Sequence, residues 1–219
     1  MSSELVNVTI LWYESMSAYF PQLEELVKMN RFLRIVVLGF LWCSPSYAAF
    51  VMEDLINVLI ETKKIKSIDA AKNLQSIGPN DKTYELVIRN ANLDLKDAKN
   101  ISKAIDKVSK NNGPILSTLS MSFNQDLKDE GVITILNRIP KTTSVIAFVE
   151  CGITDKAGQA IIDWALENKD IKGIYIEGNT FSNSMEEKFE KLRVDNPQLT
   201  LLSEWASDEF KEMVKKTFK

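Results

Sequence analysis

The sequence of 219 residues predicts an α/β solenoid, in which short parallel strands line a concave face and helices line a convex face. An apolar motif occurs three times between residues 116 and 181, at spacings of 27 and 28 residues. A small polar residue follows each motif at the same place. Apolar residues with the period of a helix follow the first two. Repetition at such a period is typical of stacked strand–turn–helix units.

The strands are predicted from the pattern L-x-x-L-x-L-x-x-(N/C)-x-L, which begins at Leu116, Thr143 and Ile171. Its L-x-L alternation places two apolar side chains on one face of a short strand. The N/C position is held by Asn124, Cys151 and Asn179. Because a side chain there can hydrogen-bond to the backbone of adjacent turns, we expect these residues to form a ladder through the stack.

The helices are predicted from apolar residues at i, i+3 and i+4. An Asp recurs just before or at the start of each helix, at Asp97, Asp129 and Asp155. A carboxylate in that position caps free N–H groups and opposes the helix dipole. Recurrence at the repeat period favours this structural role over metal binding or acid–base chemistry.

The pattern extends with less regularity to both sides. Further strands are predicted from Leu5, Leu33, Ile65, Thr83 and Leu199, which gives about seven or eight in all. A helix is predicted over about residues 47–63, and Ser207 with Asp208 predicts the N-cap of a closing helix. The solenoid then spans 1–206, with irregular repeats or a cap in 1–64 and more regular repeats in 65–206. Residues 207–219 form a C-terminal capping helix.

These units resemble the leucine-rich repeats of the ribonuclease-inhibitor type, over about residues 5–205. Three positions depart from the pattern, since Tyr13, Leu41 and Ala91 stand where that family has Asn or Cys. The irregular N-terminal repeats are similar to small repeat effectors of intracellular bacterial pathogens. The resemblance implies a non-catalytic protein that binds a folded protein partner, such as a host protein, through its concave face.

Composition argues against several classes of function. The chain contains no histidine, which excludes Ser-His-Asp and Cys-His catalysis and histidine-ligated metal sites. Residues 1–110 carry 14 basic and 13 acidic side chains, and residues 111–219 carry 13 basic and 17 acidic ones. Neither half offers the basic stripe that nucleic-acid binding needs. We predict no catalytic residue, no metal ligand and no cofactor.

The cysteines and the apolar runs indicate a soluble protein in a reducing compartment. Cys43 and Cys151 are far apart, which is typical of reduced core residues. The most apolar run, residues 32–43, is too short for a membrane helix, which needs about 20 residues. No signal peptide is recognisable at the N-terminus. We expect a cytoplasmic protein, or one delivered into a host cytosol by a specialised secretion system.

The binding residues are predicted from the strand positions that alternate with the core, since those side chains face the concave side. Contiguous exposed apolar groups usually mark a binding site, and aromatic residues are favoured anchors. The predicted partner-binding residues are Trp12, Val37, Phe40, Arg89, Phe123, Val149, Glu150, Tyr175 and Glu177.

Two alternatives remain open. Leu11, Trp12, Ile35, Val37 and Phe40 would form an N-terminal apolar patch, which could instead be buried or drive self-association into a homodimer. An enzyme that uses carboxylates or a lysine, without histidine, is the less favoured alternative.

Overall fold

The computed structural model describes residues 51–78 and 81–217, and in this part of the chain the fold is α/β. Five parallel strands form one sheet in the order β1-β2-β3-β4-β5, so each strand pairs with the next along the chain. The strands are β1 Thr83–Val87, β2 Ile115–Ser120, β3 Val145–Ala147, β4 Gly173–Tyr175 and β5 Thr200–Leu202. The seven described helices are α1 at 51–61, α2 Ile65–Gln75, α3 Leu95–Lys110, α4 Lys128–Leu136, α5 Asp155–Glu167, α6 Asn183–Asp195 and α7 Asp208–Thr217.

The five strands confirm the strands predicted from residue 83 onward, and equivalent motif positions pair with one another. Leu86 lies opposite Leu119, which lies opposite Ile146, and the row continues through Ile174 to Leu201. All five side chains are buried. This row of aliphatic residues is one wall of the core.

The other wall of the core comes from the helices that connect the strands. Helices α3 to α6 pack side by side, each against the next in sequence. Their buried residues, such as Ile101, Ile135, Ile161 and Phe189, belong to the same apolar cluster as the strand residues. None of the helices described for residues 51–78 and 81–217 has the length and apolar character needed to cross a membrane.

The predicted ladder is confirmed by the hydrogen bonds of the N/C position. Asn124 Oδ1 accepts from the N–H groups of Ala91 and Leu93 at 2.9 and 3.0 Å. Its Nδ2 donates to the carbonyl oxygens of Ile88 and Met121 at 2.9 and 2.8 Å. The amide therefore satisfies buried backbone groups of its own turn and of the preceding one.

Asn179 repeats this arrangement, and Cys151 makes part of it with its thiol. Asn179 accepts from Cys151 N at 2.9 Å and donates to the carbonyl oxygen of Phe148 at 2.9 Å. The Cys151 thiol donates to the carbonyl oxygen of Met121 at 3.1 Å. A thiol has one donor where the amide has two, so Cys151 makes fewer hydrogen bonds to the turns than Asn124 and Asn179 do.

The recurring aspartates have the predicted structural role, although two of them act on the following unit. Asp97 accepts from Asp94 N at 3.2 Å and completes a capping box at the start of α3. Asp129 accepts from the N–H groups of Thr154 and Ala157 at 2.8 and 3.2 Å and so caps α5. Asp155 likewise accepts from the backbone and hydroxyl of Ser182, at the start of α6.

The strand predicted at Ile65 is wrong, because residues Ile65–Gln75 form helix α2. The buried side chains Ser67, Ala70, Ala71 and Leu74 follow the i, i+3, i+4 spacing of a helix, while Ile65 is 77% exposed. Asn73 is exposed and is not part of the ladder. The predicted units from Leu5 and Leu33 lie outside the described residues.

Asn124→Ala tests how much the ladder contributes to stability. The substitution leaves buried N–H and carbonyl groups of two turns without partners, so we expect the free energy of unfolding to fall by about 2–4 kcal/mol. Urea unfolding followed by circular dichroism measures it. Asn100→Ala, at an exposed position of α3, is the matched control and should change this value by less than about 0.5 kcal/mol. Similar losses in both variants would contradict the ladder's role.

Candidate functional site

The candidate site is the face of the sheet that points away from the core. In β1, Tyr84 and Leu86 are buried while Thr83, Glu85 and Val87 are exposed. In the following units the alternating side chains surround a cavity of about 210 Å³. We call this surface the outer face, and its residues at the cavity are Arg89, Thr118, Ser120, Ser122, Phe123, Val145, Ala147, Val149, Tyr175 and Glu177.

The C-terminal segment, residues 205–217, covers the outer face. Trp205, Phe210 and Val214 complete the lining of the same cavity. Lys215 Nζ lies 2.8 Å from Glu150 Oε1, and this hydrogen bond raises the pKa of Lys215. The predicted N-cap is confirmed, since Ser207 Oγ accepts from Phe210 N at 3.1 Å. The closing helix α7 therefore begins where the sequence predicts and lies across the outer face.

Gly178 allows the segment to approach the sheet. Its φ is +74°, and a Cβ atom at this position would lie 2.9 Å from Trp205 Nε1 and 2.6 Å from Glu150 Cγ. A side chain would therefore collide with both neighbours. Within the C-terminal segment, the centroid of the Trp205 indole lies 6.4 Å from the centroid of the Phe210 ring.

Six of the nine predicted partner-binding residues lie in the described part of the chain, and the structure brings them together at the outer face or its edge. Arg89, Phe123 and Tyr175 are half-buried at the cavity. Glu150 is half-buried at the edge, where it shares a second hollow of about 370 Å³ with Phe123 and Lys215. Trp12, Val37 and Phe40 lie outside the described residues.

The predicted exposure is wrong for Val149 and Glu177, which are only 8% and 5% exposed. Both line the cavity beneath the C-terminal segment. The sequence argument assumed that nothing covers the concave face. It missed Trp205, Phe210 and Val214, although the apolar spacing of Phe210, Met213 and Val214 predicts a helix face that packs against another surface.

Two polar atoms at this cavity are buried without a hydrogen-bond partner among the described residues. They are Glu177 Oε2 and Trp205 Nε1. Burial raises the pKa of Glu177, because a carboxylate is costly to remove from water. Arg89 donates from Nε to Ser120 Oγ at 2.9 Å, and burial lowers its pKa. Buried polar groups are normally paired, so Glu177 and Trp205 require an explanation.

Phe123 and Glu150 occupy a backbone conformation that disfavours their side chains. The residue just before each N/C position has a positive φ, namely +51° at Asn90, +62° at Phe123, +48° at Glu150 and +74° at Gly178. Glycine and asparagine adopt this left-handed region readily, whereas bulky residues do so at a cost. The turn geometry is thus set by the repeat, and two units carry large side chains there despite the strain.

Two kinds of chemical group among the described residues bear on catalysis, the Cys151 thiol and the possible metal ligands. Burial raises the pKa of Cys151 to about 12, so its thiol is protonated at neutral pH and is a ladder group instead of a nucleophile. In the part of the chain that the structure describes, no three metal-binding side chains lie together.

Comparison with known proteins gives no match: no family model matches the chain, and no curated protein matches it significantly. The resemblance to leucine-rich repeats therefore stays a prediction from the motif.

The buried carboxyl of Glu177 predicts a pH-dependent stability. Because its pKa is raised in the folded state, Glu177 favours folding while protonated, and this contribution is lost as the pH rises above 4.5, its ordinary value. Glu177→Gln removes the titrating group. We therefore expect the stability of the variant, relative to the natural chain, to increase from pH 4 to pH 7.

Urea unfolding at pH 4, 5.5 and 7 measures this difference. Glu187→Gln removes an exposed carboxyl from α6 and serves as the control. A difference between Glu177→Gln and the natural chain that does not change with pH would show that Glu177 is not desolvated.

Proposed function

We propose that this protein is a non-catalytic leucine-rich repeat solenoid that binds a protein partner through the outer face. The proposal depends chiefly on one observation: aromatic side chains and a buried carboxyl with one unpartnered oxygen are collected on a sheet face that the core does not use. A face with only a structural role would be polar and solvated. Aromatic clusters at such positions are typical of interface anchors.

The strained turns support the same proposal. Phe123 and Glu150 hold large side chains at a position where Gly178 fits with less strain. Backbone strain concentrates at functional sites, where the side chain's contacts compensate for it. The benefit that we infer for Phe123 and Glu150 is contact with a partner.

The stiffness of the sheet suits recognition by shape. Each strand is joined to its neighbours by backbone pairing, and the ladder residues Asn124, Cys151 and Asn179 fix the turns at the strand ends. Arg89, Phe123 and Tyr175 are thus presented on a rigid support. A preorganised surface loses little conformational entropy when it binds.

The chain lacks the usual residues of acid–base catalysis at neutral pH, since it has no histidine. The role as a bacterial effector and the choice of a host protein as partner rest on the resemblance of the irregular repeats alone.

Phe123→Ala combined with Tyr175→Ala tests the binding face. Both aromatic anchors are then removed, so we expect the amount of partner captured from a host-cell lysate to fall at least about tenfold. Leu166→Ala with Val194→Ala is the matched control, because it removes two apolar side chains that are 66% exposed on helices α5 and α6. Circular dichroism shows that each variant folds. Equal capture by the aromatic variant and the control would contradict the assignment.

A further inference from the structure

The C-terminal segment covers the outer face without being firmly buried there. No residue of α7 is buried, and Phe210, which lines the cavity, remains 41% exposed. Among the described residues, one salt bridge joins α7 to the rest of the chain, between Lys215 and Glu150. An ion pair of this kind, partly open to solvent, contributes little to stability.

The segment also fits the face incompletely. A cavity of about 210 Å³ remains beneath Trp205, Phe210 and Val214, whereas protein interiors are close-packed. Glu177 Oε2 and Trp205 Nε1 stay buried without partners among the described residues. An occupant that fills this space and donates a hydrogen bond to Glu177 would fit better.

The chain is anchored just before the segment begins. Ser203 Oγ donates to Glu186 Oε2 at 2.5 Å, which ties the end of β5 to α6. Residues 204–207 are not part of any helix or strand. The segment can therefore leave the outer face while the chain up to Ser203 stays in place.

We propose that the C-terminal segment is a displaceable occupant of the outer face, and that the partner is an amphipathic helix with an aromatic anchor and a basic residue. This inference rests on the proposed function and adds the chemistry of the partner. The segment itself shows what the face accepts, since Phe210 and Val214 enter the cavity four residues apart and Lys215 pairs with Glu150. A partner helix places similar groups there and supplies a donor to Glu177.

Competition with the chain's own segment provides the test. The probe is a fluorescein-labelled peptide of residues 204–219, and the target is the full chain. The double substitution Phe210→Ser with Lys215→Glu weakens the contacts of the segment, so that the outer face is no longer covered. We call this variant the loosened chain. Met213→Ser is the matched control, because Met213 is 54% exposed and does not line the cavity of the outer face. Lys215→Glu alone is a milder second variant that keeps every apolar contact.

We expect the peptide to bind the loosened chain at least about tenfold more tightly than the natural chain or Met213→Ser, as measured by fluorescence anisotropy. Lys215→Glu should lie between them. A peptide that itself carries Lys215→Glu should bind the loosened chain more weakly, since it cannot pair with Glu150. Hydrogen exchange of residues 120–123, 147–150 and 175–178 should rise in the loosened chain and stay unchanged in Met213→Ser.

Equal peptide affinity for the natural, loosened and control chains would overturn the inference. So would unchanged hydrogen exchange in the loosened chain. Suppose that the peptide binds all chains equally while Phe123→Ala with Tyr175→Ala still abolishes partner capture. The inference of a displaceable segment is then wrong, and the proposed binding face stands. If the peptide competes as expected while that aromatic variant captures the partner normally, the proposed function is wrong and the displaceable segment stands.

Discussion

The structure depends on one constraint: the turns that follow the strands carry backbone groups that are buried between adjacent units and must be hydrogen-bonded. Asn124 meets this need with one carboxamide that bonds to two successive turns, and Asn179 does the same. A buried N–H or carbonyl group without a partner is costly, so these side chains stabilise the stacking of one unit on the next. The parallel sheet and the row of helices both follow from that stacking.

The same turns decide how the outer face is built. The residue just before the N/C position has a positive φ in four successive units, whether it is Asn90, Phe123, Glu150 or Gly178. Where that residue is Phe123 or Glu150, a large side chain stands at the edge of the outer face. Where it is Gly178, the absent side chain leaves room for Trp205. A structural requirement of the repeat thus places the groups that we assign to recognition.

The two faces of the sheet differ in how completely they are covered. Toward the helices, Leu86, Leu119 and Ile146 have no exposed surface, and the core is continuous. On the outer face, the C-terminal segment leaves a cavity and an unpartnered carboxyl oxygen, Glu177 Oε2. Polar groups without partners are a cost that close packing normally avoids. The displaceable C-terminal segment that we propose would account for this difference.

The sequence by itself determined the strands from Thr83 onward, the ladder at Asn124, Cys151 and Asn179, and the start of α7, because these depend on local spacing and on hydrogen bonds within or between adjacent units. It failed at Ile65–Gln75, since an i, i+3 spacing of apolar residues fits both a helix and the start of the motif. Only the tertiary structure decided that α7 crosses the outer face and buries Glu177. An amphipathic pattern shows that a helix has an apolar side, but the surface that this side covers is set by contacts between residues far apart in sequence, such as Lys215 with Glu150.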